Sequence, residues 1–207
     1  MTASAPSVSQ DPRAMRSREN LIAAMVRMLD RDPVPPTIND LVKEAGASRP
    51  TFYQRFGDIP TLMHAAAMSR LQEAFELMRE PAPGARWDAY AEHNLTTLLT
   101  HVGDHRAFYL GMFDGPSGMS VNMRFTEFIA DRLLMRSPLQ HAIRERAAQI
   151  GLAPEELARF LAGGAMALVN QGLRADVPTP HLAAQLSALF VTLSGATTGA
   201  EQPPTAP

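Results

Sequence analysis

The segment TINDLVKEAGASRPTFYQRF, residues 37–56, decides the fold. Its pattern predicts two short helices joined by a tight turn. Thr37 begins the first helix with a capping pattern, and Gly46 ends it, because glycine takes the left-handed conformation without steric cost. Ser48 then caps the second helix, and Pro50 lies in the first turn, where a missing N–H matters least. This layout predicts a helix-turn-helix, whose second helix enters the DNA major groove.

The second helix of this motif has distinct inner and outer faces. Phe52 and Phe56 lie four residues apart and are expected to anchor it to the first helix. We expect Arg49 and Gln54 to read base edges, and the other outward side chains to contact phosphate or support docking. The predicted DNA contacts are Arg18, Thr37, Ser48, Arg49, Pro50, Thr51, Tyr53, Gln54 and Arg55.

The recognition segment ASRPTFYQRF resembles that of the tetracycline-repressor (TetR) family of bacterial transcriptional regulators. Residues 18–24, RENLIAA, resemble the family's first helix. Two positions depart from the family pattern: Arg55 stands where histidine is usual, and Ile59 replaces a lysine that contacts phosphate. The resemblance covers about the first third of the chain, the size of one small domain.

The resemblance implies an all-α fold with two domains. A three-helix DNA-binding domain would span residues 13–60, and a helical effector-binding and dimerisation domain residues 61–199. Residues 1–12 and 200–207 are Pro-rich, polar tails that we expect to be disordered. The implied function is that of a homodimeric repressor, released from a palindromic operator by a small, largely apolar effector. Its implied partners are double-stranded operator DNA, the effector and a second copy of itself.

Composition is compatible with this function. The 207 residues include no cysteine and a single lysine, and the net charge is −2. DNA binding therefore has to rest on local positive charge, which several arginines in and beside the motif supply. The N-terminus lacks the apolar core of a signal peptide, and no apolar run approaches the length of a membrane span. We expect a cytoplasmic protein without membrane contact.

Helix-breaking residues predict the rest of the organisation. A first helix is expected over residues 13–29, followed by a connecting loop over residues 30–36. Asp58 is expected to cap a fourth helix that ends near residue 79, before the sequence PAPGA breaks it. Six further helices are predicted at residues 87–102, 106–113, 121–135, 139–150, 154–174 and 181–194.

The last two predicted helices have features of an interface. The adjacent Gly163 and Gly164 lie inside a helix, where each glycine costs about 1 kcal/mol relative to alanine, so another backbone is expected to pack there. Packing within the chain is one interpretation, and a two-fold four-helix bundle between subunits is the other; the family resemblance implies the second. The predicted interface residues are Phe160, Gly163, Gly164, Ala167, Leu182, Leu186, Leu189 and Leu193.

Bulky, adaptable side chains recur through the middle of the chain. For any one of them core filling is the simpler interpretation, but as a group they suit an apolar effector cavity, which the resemblance also implies. Asn94 and Asn170 are the candidate polar groups within it. The predicted ligand contacts are Trp87, Tyr90, Asn94, Phe108, Tyr109, Met112, Phe113, Met123, Phe128, Met166 and Asn170.

Catalytic and metal-binding patterns are weak. His101 and His105 lie four apart, but Gly103 separates them and no third ligand is evident, so we expect no metal site. The sequence contains neither a nucleophile elbow nor a phosphate-binding glycine loop, and we expect neither enzymatic activity nor a cofactor. The competing function is a helical interaction module with weak or no operator binding, which Ile59 and the acidic net charge favour.

Overall fold

The computed structural model describes residues 12–82 and 85–196. Except for Pro12, which begins the first helix, the predicted tails lie outside these ranges. The described residues form ten helices and contain no strand, which confirms the all-α prediction. The helices are α1 (Pro12–Arg31), α2 (Ile38–Glu44), α3 (Arg49–Arg55), α4 (Ile59–Glu76), α5 (Trp87–Asp104), α6 (Arg106–Asp114), α7 (Gly118–Met135), α8 (Gln140–Ile150), α9 (Pro154–Ala175) and α10 (Thr179–Ser194).

Side-chain caps define the starts of α2, α3 and α4. The backbone N–H of Asp40 donates to Thr37 Oγ1 at 3.3 Å, and that of Thr51 donates to Ser48 Oγ at 3.2 Å. Asp58 Oδ1 accepts the Thr61 N–H at 2.8 Å. Each cap satisfies one of the N–H groups that the first turn of a helix leaves unpaired. The three helix starts that the sequence predicts are therefore confirmed.

Several other helix bounds differ from the predictions. α1 extends to Arg31 instead of ending at Leu29, and α5 continues through Gly103 to Asp104. α7 begins at Gly118, three residues before its predicted start, and α10 begins at Thr179. Position 118 requires glycine, because a Cβ added there would lie 2.0 Å from the Phe113 carbonyl oxygen at the end of α6.

One apolar core joins the helix-turn-helix to the helices that follow it. Leu21 and Met25 of α1 and Phe52 of α3 are fully buried in this core, and so are Phe108 and Met112 of α6. A second core lies among α5, α7, α8, α9 and α10. α4 supplies Leu62 and Met63 to the first core at its start, and Phe75 near its end lines an apolar cavity. No helix within the described ranges is long and apolar enough to cross a membrane.

Candidate DNA-binding surface and effector cavity

Helix α3, the candidate recognition helix, packs one face against the core and exposes the opposite face. Phe52 is fully buried, and Phe56 at the end of the helix is nearly so. Arg49 and Gln54 are exposed, and Tyr53 is 48% exposed with its ring edge-on to Phe52 at 5.3 Å. Because the two phenylalanines set the rotation of the helix, three polar side chains face away from the core together.

Polar residues around α3 hold its first turn. Ser48 Oγ and Thr51 Oγ1 lie 2.8 Å apart, so both hydroxyls bond to each other at the helix start. At the start of the preceding helix α2, Thr37 Oγ1 donates to Asp40 Oδ2 at 2.6 Å. Pro50 is exposed in the first turn. Ser48 and Thr37 thus have structural roles as helix caps, and their contact with DNA stays a prediction.

Two arginines beside the helix differ in accessibility. Arg18 of α1 is exposed, and its guanidinium lies 5.6 Å from the centre of the Phe56 ring, a cation–π distance. Arg55 of α3 is only partly exposed, less than Arg49 and Gln54, and its contact with DNA stays a prediction. Its Nε is buried and has no hydrogen-bond partner within residues 12–82 and 85–196.

The charge around the motif is more positive than that of the whole chain. Residues 12–60 hold eight basic and six acidic side chains, against a net charge of −2 for the full sequence. Arg27 and Arg31 both pair with Glu44, and their hydrogen bonds lower the pKa of its carboxyl. These two arginines neutralise Glu44 within the domain, so the positive field beside α3 comes mainly from other arginines.

A narrow apolar cavity of about 80 Å³ lies between α4, α5, α7, α9 and α10. Of the predicted ligand contacts, Trp87, Tyr90 and Met166 line it. Trp87 is held by its indole N–H, which donates to Ser187 Oγ at 3.0 Å, and by an edge-on contact with Phe190. The lining residues that sequence reasoning missed are Phe75, Met78, Leu95, Leu98, Leu99, Ile129, Arg132, Leu133, Ser137, Ala165, Val169, Leu186 and Phe190.

Most of the predicted aromatic and methionine contacts lie elsewhere. Phe108, Tyr109 and Met112 are buried in the first core, and Phe113 packs against that core. Met123 is 63% exposed on the outer face of α7. Phe128 lies edge-on to Phe75 at 5.0 Å, behind the wall of the cavity. These residues do not line this cavity, since the residue types alone do not show which face of a helix they occupy, and their contact with an effector stays a prediction.

The two predicted polar contacts are also directed away from the cavity. Asn94 is buried, and its Oδ1 accepts the Arg79 N–H at 2.9 Å while its Nδ2 donates to the Arg79 carbonyl at 3.0 Å. It therefore fixes the chain just beyond the end of α4 onto α5. Asn170 Oδ1 accepts from Arg174 Nε at 3.1 Å on the surface of α9.

The predicted dimer face divides into exposed and buried residues. Phe160 is 67% exposed, Ala167, Leu189 and Leu193 are also exposed, and a Cβ added at Gly164 would meet no described atom within 4 Å. Gly163 has one such neighbour, Thr126 Cγ2 at 4.0 Å. Leu182 and Leu186 were predicted at the interface, but both are buried within the subunit and are not available on its surface. Leu182 packs onto Gly172, so α10 approaches α9 closely at that glycine.

Comparison with known proteins supports the fold. No family model and no curated protein matches the chain. Its structure is similar to the crystal structure of a TetR-family transcriptional regulator from Streptomyces coelicolor, with a TM-score of 0.58 and 20% identity. The match covers 88% of this chain and 83% of that one. The chain therefore has the fold of a TetR-family transcriptional regulator, and the resemblance of the recognition segment is confirmed at the level of the fold.

Proposed function

We propose that the chain is a DNA-binding transcriptional regulator whose helix α3 enters the major groove. The observation that supports this most is the joint exposure of Arg49, Tyr53 and Gln54 on a helix that Phe52 holds in place. Arginine and glutamine are suited to bidentate hydrogen bonds with guanine and adenine edges, and a tyrosine hydroxyl is suited to a phosphate oxygen. The resemblance of the recognition segment to the TetR family implies that the regulator acts as a repressor.

We further propose that the protein acts as a two-fold dimer through α9 and α10. Glycine at position 164 has no explanation within the subunit, because no described atom approaches it, while its cost to the helix is about 1 kcal/mol. Phe160, Leu189 and Leu193 add exposed apolar area to the same pair of helices. A partner helix crossing at Gly164 would bury these side chains and present two recognition helices to a palindromic site.

We assign the exposed side chain of Met123, on α7, to this proposed interface. Glu127 of α7 accepts from Arg159 Nε of α9 at 2.9 Å, and Thr126 faces Gly163 one turn later on α9. The two helices thus run antiparallel, and Met123 lies one turn before Thr126 and Glu127 on the same face of α7. Exposed apolar side chains that form one patch mark an interaction surface more strongly than isolated ones do.

The cavity bounded by Trp87, Tyr90 and Met166 is the proposed effector site. Cavities for drug-sized ligands measure about 300–1,000 Å³, so one of about 80 Å³ has to widen before it admits such a molecule. Phe75 and Met78, at and just beyond the end of α4, form part of its wall. Widening would displace α4, which begins at Ile59, four residues after the recognition helix ends.

A salt titration with duplex DNA tests the proposed function. Duplexes would be selected by the full-length protein from a random-sequence pool, and binding would be measured by fluorescence anisotropy. We expect one selected sequence to bind at least about 1,000-fold more tightly than a scrambled duplex. The logarithm of its binding constant should fall linearly with the logarithm of the salt concentration. Equal, weak binding of both duplexes would instead support the interaction module without operator affinity, which Ile59 and the net charge favour.

A further inference from the structure

A charged arginine lies buried where the helix-turn-helix and α1 meet the later helices α5–α10, which we call the effector helices. Arg70, in the middle of α4, is only 7% exposed. Its Nη2 is paired with Asp30 of α1, and its Nη1 donates to Glu73 Oε2 and to His105 Nε2, each at 3.2 Å. The guanidinium also stacks on Phe108 at 5.2 Å. A buried charge requires such partners, because removing one leaves an uncompensated charge in a low-dielectric site.

His105 closes this group of contacts into a ring. It lies between α5 and α6, and its Nδ1 is 3.0 Å from Asp30 Oδ1. Arginine can only donate, so Nε2 must accept from Arg70, and the ring proton is then on Nδ1, where it is donated to Asp30. Asp30, Arg70 and neutral His105 thus connect α1, α4 and the α5–α6 corner through three mutual hydrogen bonds.

Protonation of His105 is incompatible with one of these bonds. A proton on Nε2 would oppose the N–H of Arg70 and place a second positive charge beside the guanidinium. Asp30 and Glu73 would offset part of this charge. Since the contact with Arg70 would change from a hydrogen bond to a repulsion, the histidine and the guanidinium would separate.

A second histidine adds to this acid sensitivity. The His101 and His105 rings are 4.7 Å apart, and buried His101 Nε2 has no hydrogen-bond partner in the described part of the chain. Burial, His105 and Arg70 lower the pKa of His101, while Glu73 and Asp104 oppose this effect. The buried Tyr109 hydroxyl, whose pKa burial raises, contributes no charge here at neutral pH.

We propose that Asp30, Arg70 and His105, with His101 behind them, form an acid-sensitive latch that sets the orientation of the helix-turn-helix on the effector helices. When His105 is protonated the latch opens, α1 gains freedom relative to α4 and α6, and operator affinity falls. The last step rests on the proposed DNA-binding function, whereas the opening of the latch does not.

Two measurements on the full-length protein test the latch. Affinity for a duplex selected at about pH 7.5 would be measured down to about pH 5.5 at constant ionic strength, the range in which histidine titrates. We expect a loss of roughly fivefold or more, the lower end of ordinary coupling between sites, in the wild type and in the control His93→Gln, an exposed histidine of α5. His105→Gln, which can donate to Asp30 and accept from Arg70 but never charges, should lose much less.

Amide hydrogen exchange without DNA separates the latch from the proposed function. After correction for intrinsic rates, the last turn of α1, around Asp30, should lose protection on acidification in the wild type and much less in His105→Gln, which keeps His101. Unchanged protection in the wild type overturns the latch. Protection lost equally in His105→Gln, or equal affinity losses in all three proteins, also overturns it. If no duplex binds at any pH, the proposed function fails, and hydrogen exchange alone decides the latch.

Discussion

Replacing Gly164 with alanine tests the proposed dimer, because the monomer and the dimer predict effects of opposite sign. In an isolated subunit the new methyl group meets no described atom within 4 Å. The substitution would then stabilise α9 by about 1 kcal/mol, the difference in helix propensity between alanine and glycine. If a partner helix crosses at this position, two new methyl groups would instead separate the paired backbones.

The cost at the interface follows from overpacking. Adding methyl groups to a closely packed contact costs about 1–3 kcal/mol, which raises the dimer dissociation constant roughly 5- to 150-fold. Sedimentation velocity across nanomolar to micromolar protein would measure this constant. Gly103→Ala, at an exposed glycine inside α5 where an added Cβ meets only ordinary contact, is the matched control and should leave it unchanged. A variant that is more stable to heat and dimerises as tightly as the wild type would refute close packing at Gly164.

Three further outcomes follow from the contacts described above. Asn94→Ala leaves the Arg79 N–H and carbonyl without their partner, so calorimetry should show a loss of roughly 1–3 kcal/mol in the free energy of unfolding. An unchanged melting temperature would mean that these two hydrogen bonds do not hold the end of α4 onto α5. Because folding lowers the pKa of His101 below the ordinary histidine value of 6.5, stability should fall as pH drops below that value, and urea titrations of His101→Phe should show a flatter profile than the wild type. Any effector that weakens DNA binding must itself bind more weakly to the DNA complex by the same factor, typically 5- to 150-fold; equal calorimetric affinities with and without DNA would contradict the coupling.

The helix-turn-helix was predictable because local chemistry specifies it. Thr37, Ser48 and Asp58 cap helices through their own side chains, and Gly46 adopts a φ of 61° that disfavours other residues. The alternation of Phe52 and Phe56 with polar residues likewise fixes which face of α3 is buried. These signals act within a few residues, so no knowledge of tertiary contacts is needed.

The effector cavity was much less predictable, because it depends on how helices rotate against one another. Phe108 and Met112 are as apolar as the residues that line the cavity, yet they pack toward α1 instead. Asn94 directly precedes Leu95, which lines the cavity, but its side-chain amide makes both its hydrogen bonds with the Arg79 backbone. Composition identifies apolar helices, whereas only the fold shows which of their faces enclose a common space.

The proposed DNA-binding function depends most on Arg49 reading a base from α3. The decisive measurement is the affinity of Arg49→Ala for the selected duplex and for duplexes with single base changes, with exposed Arg144→Ala of α8 as the control for lost charge. We expect Arg49→Ala to lose about 1–3 kcal/mol and to discriminate less at one base pair, while Arg144→Ala binds as the wild type does. Unchanged affinity and unchanged base preference in Arg49→Ala would contradict the assignment of α3 as the recognition helix.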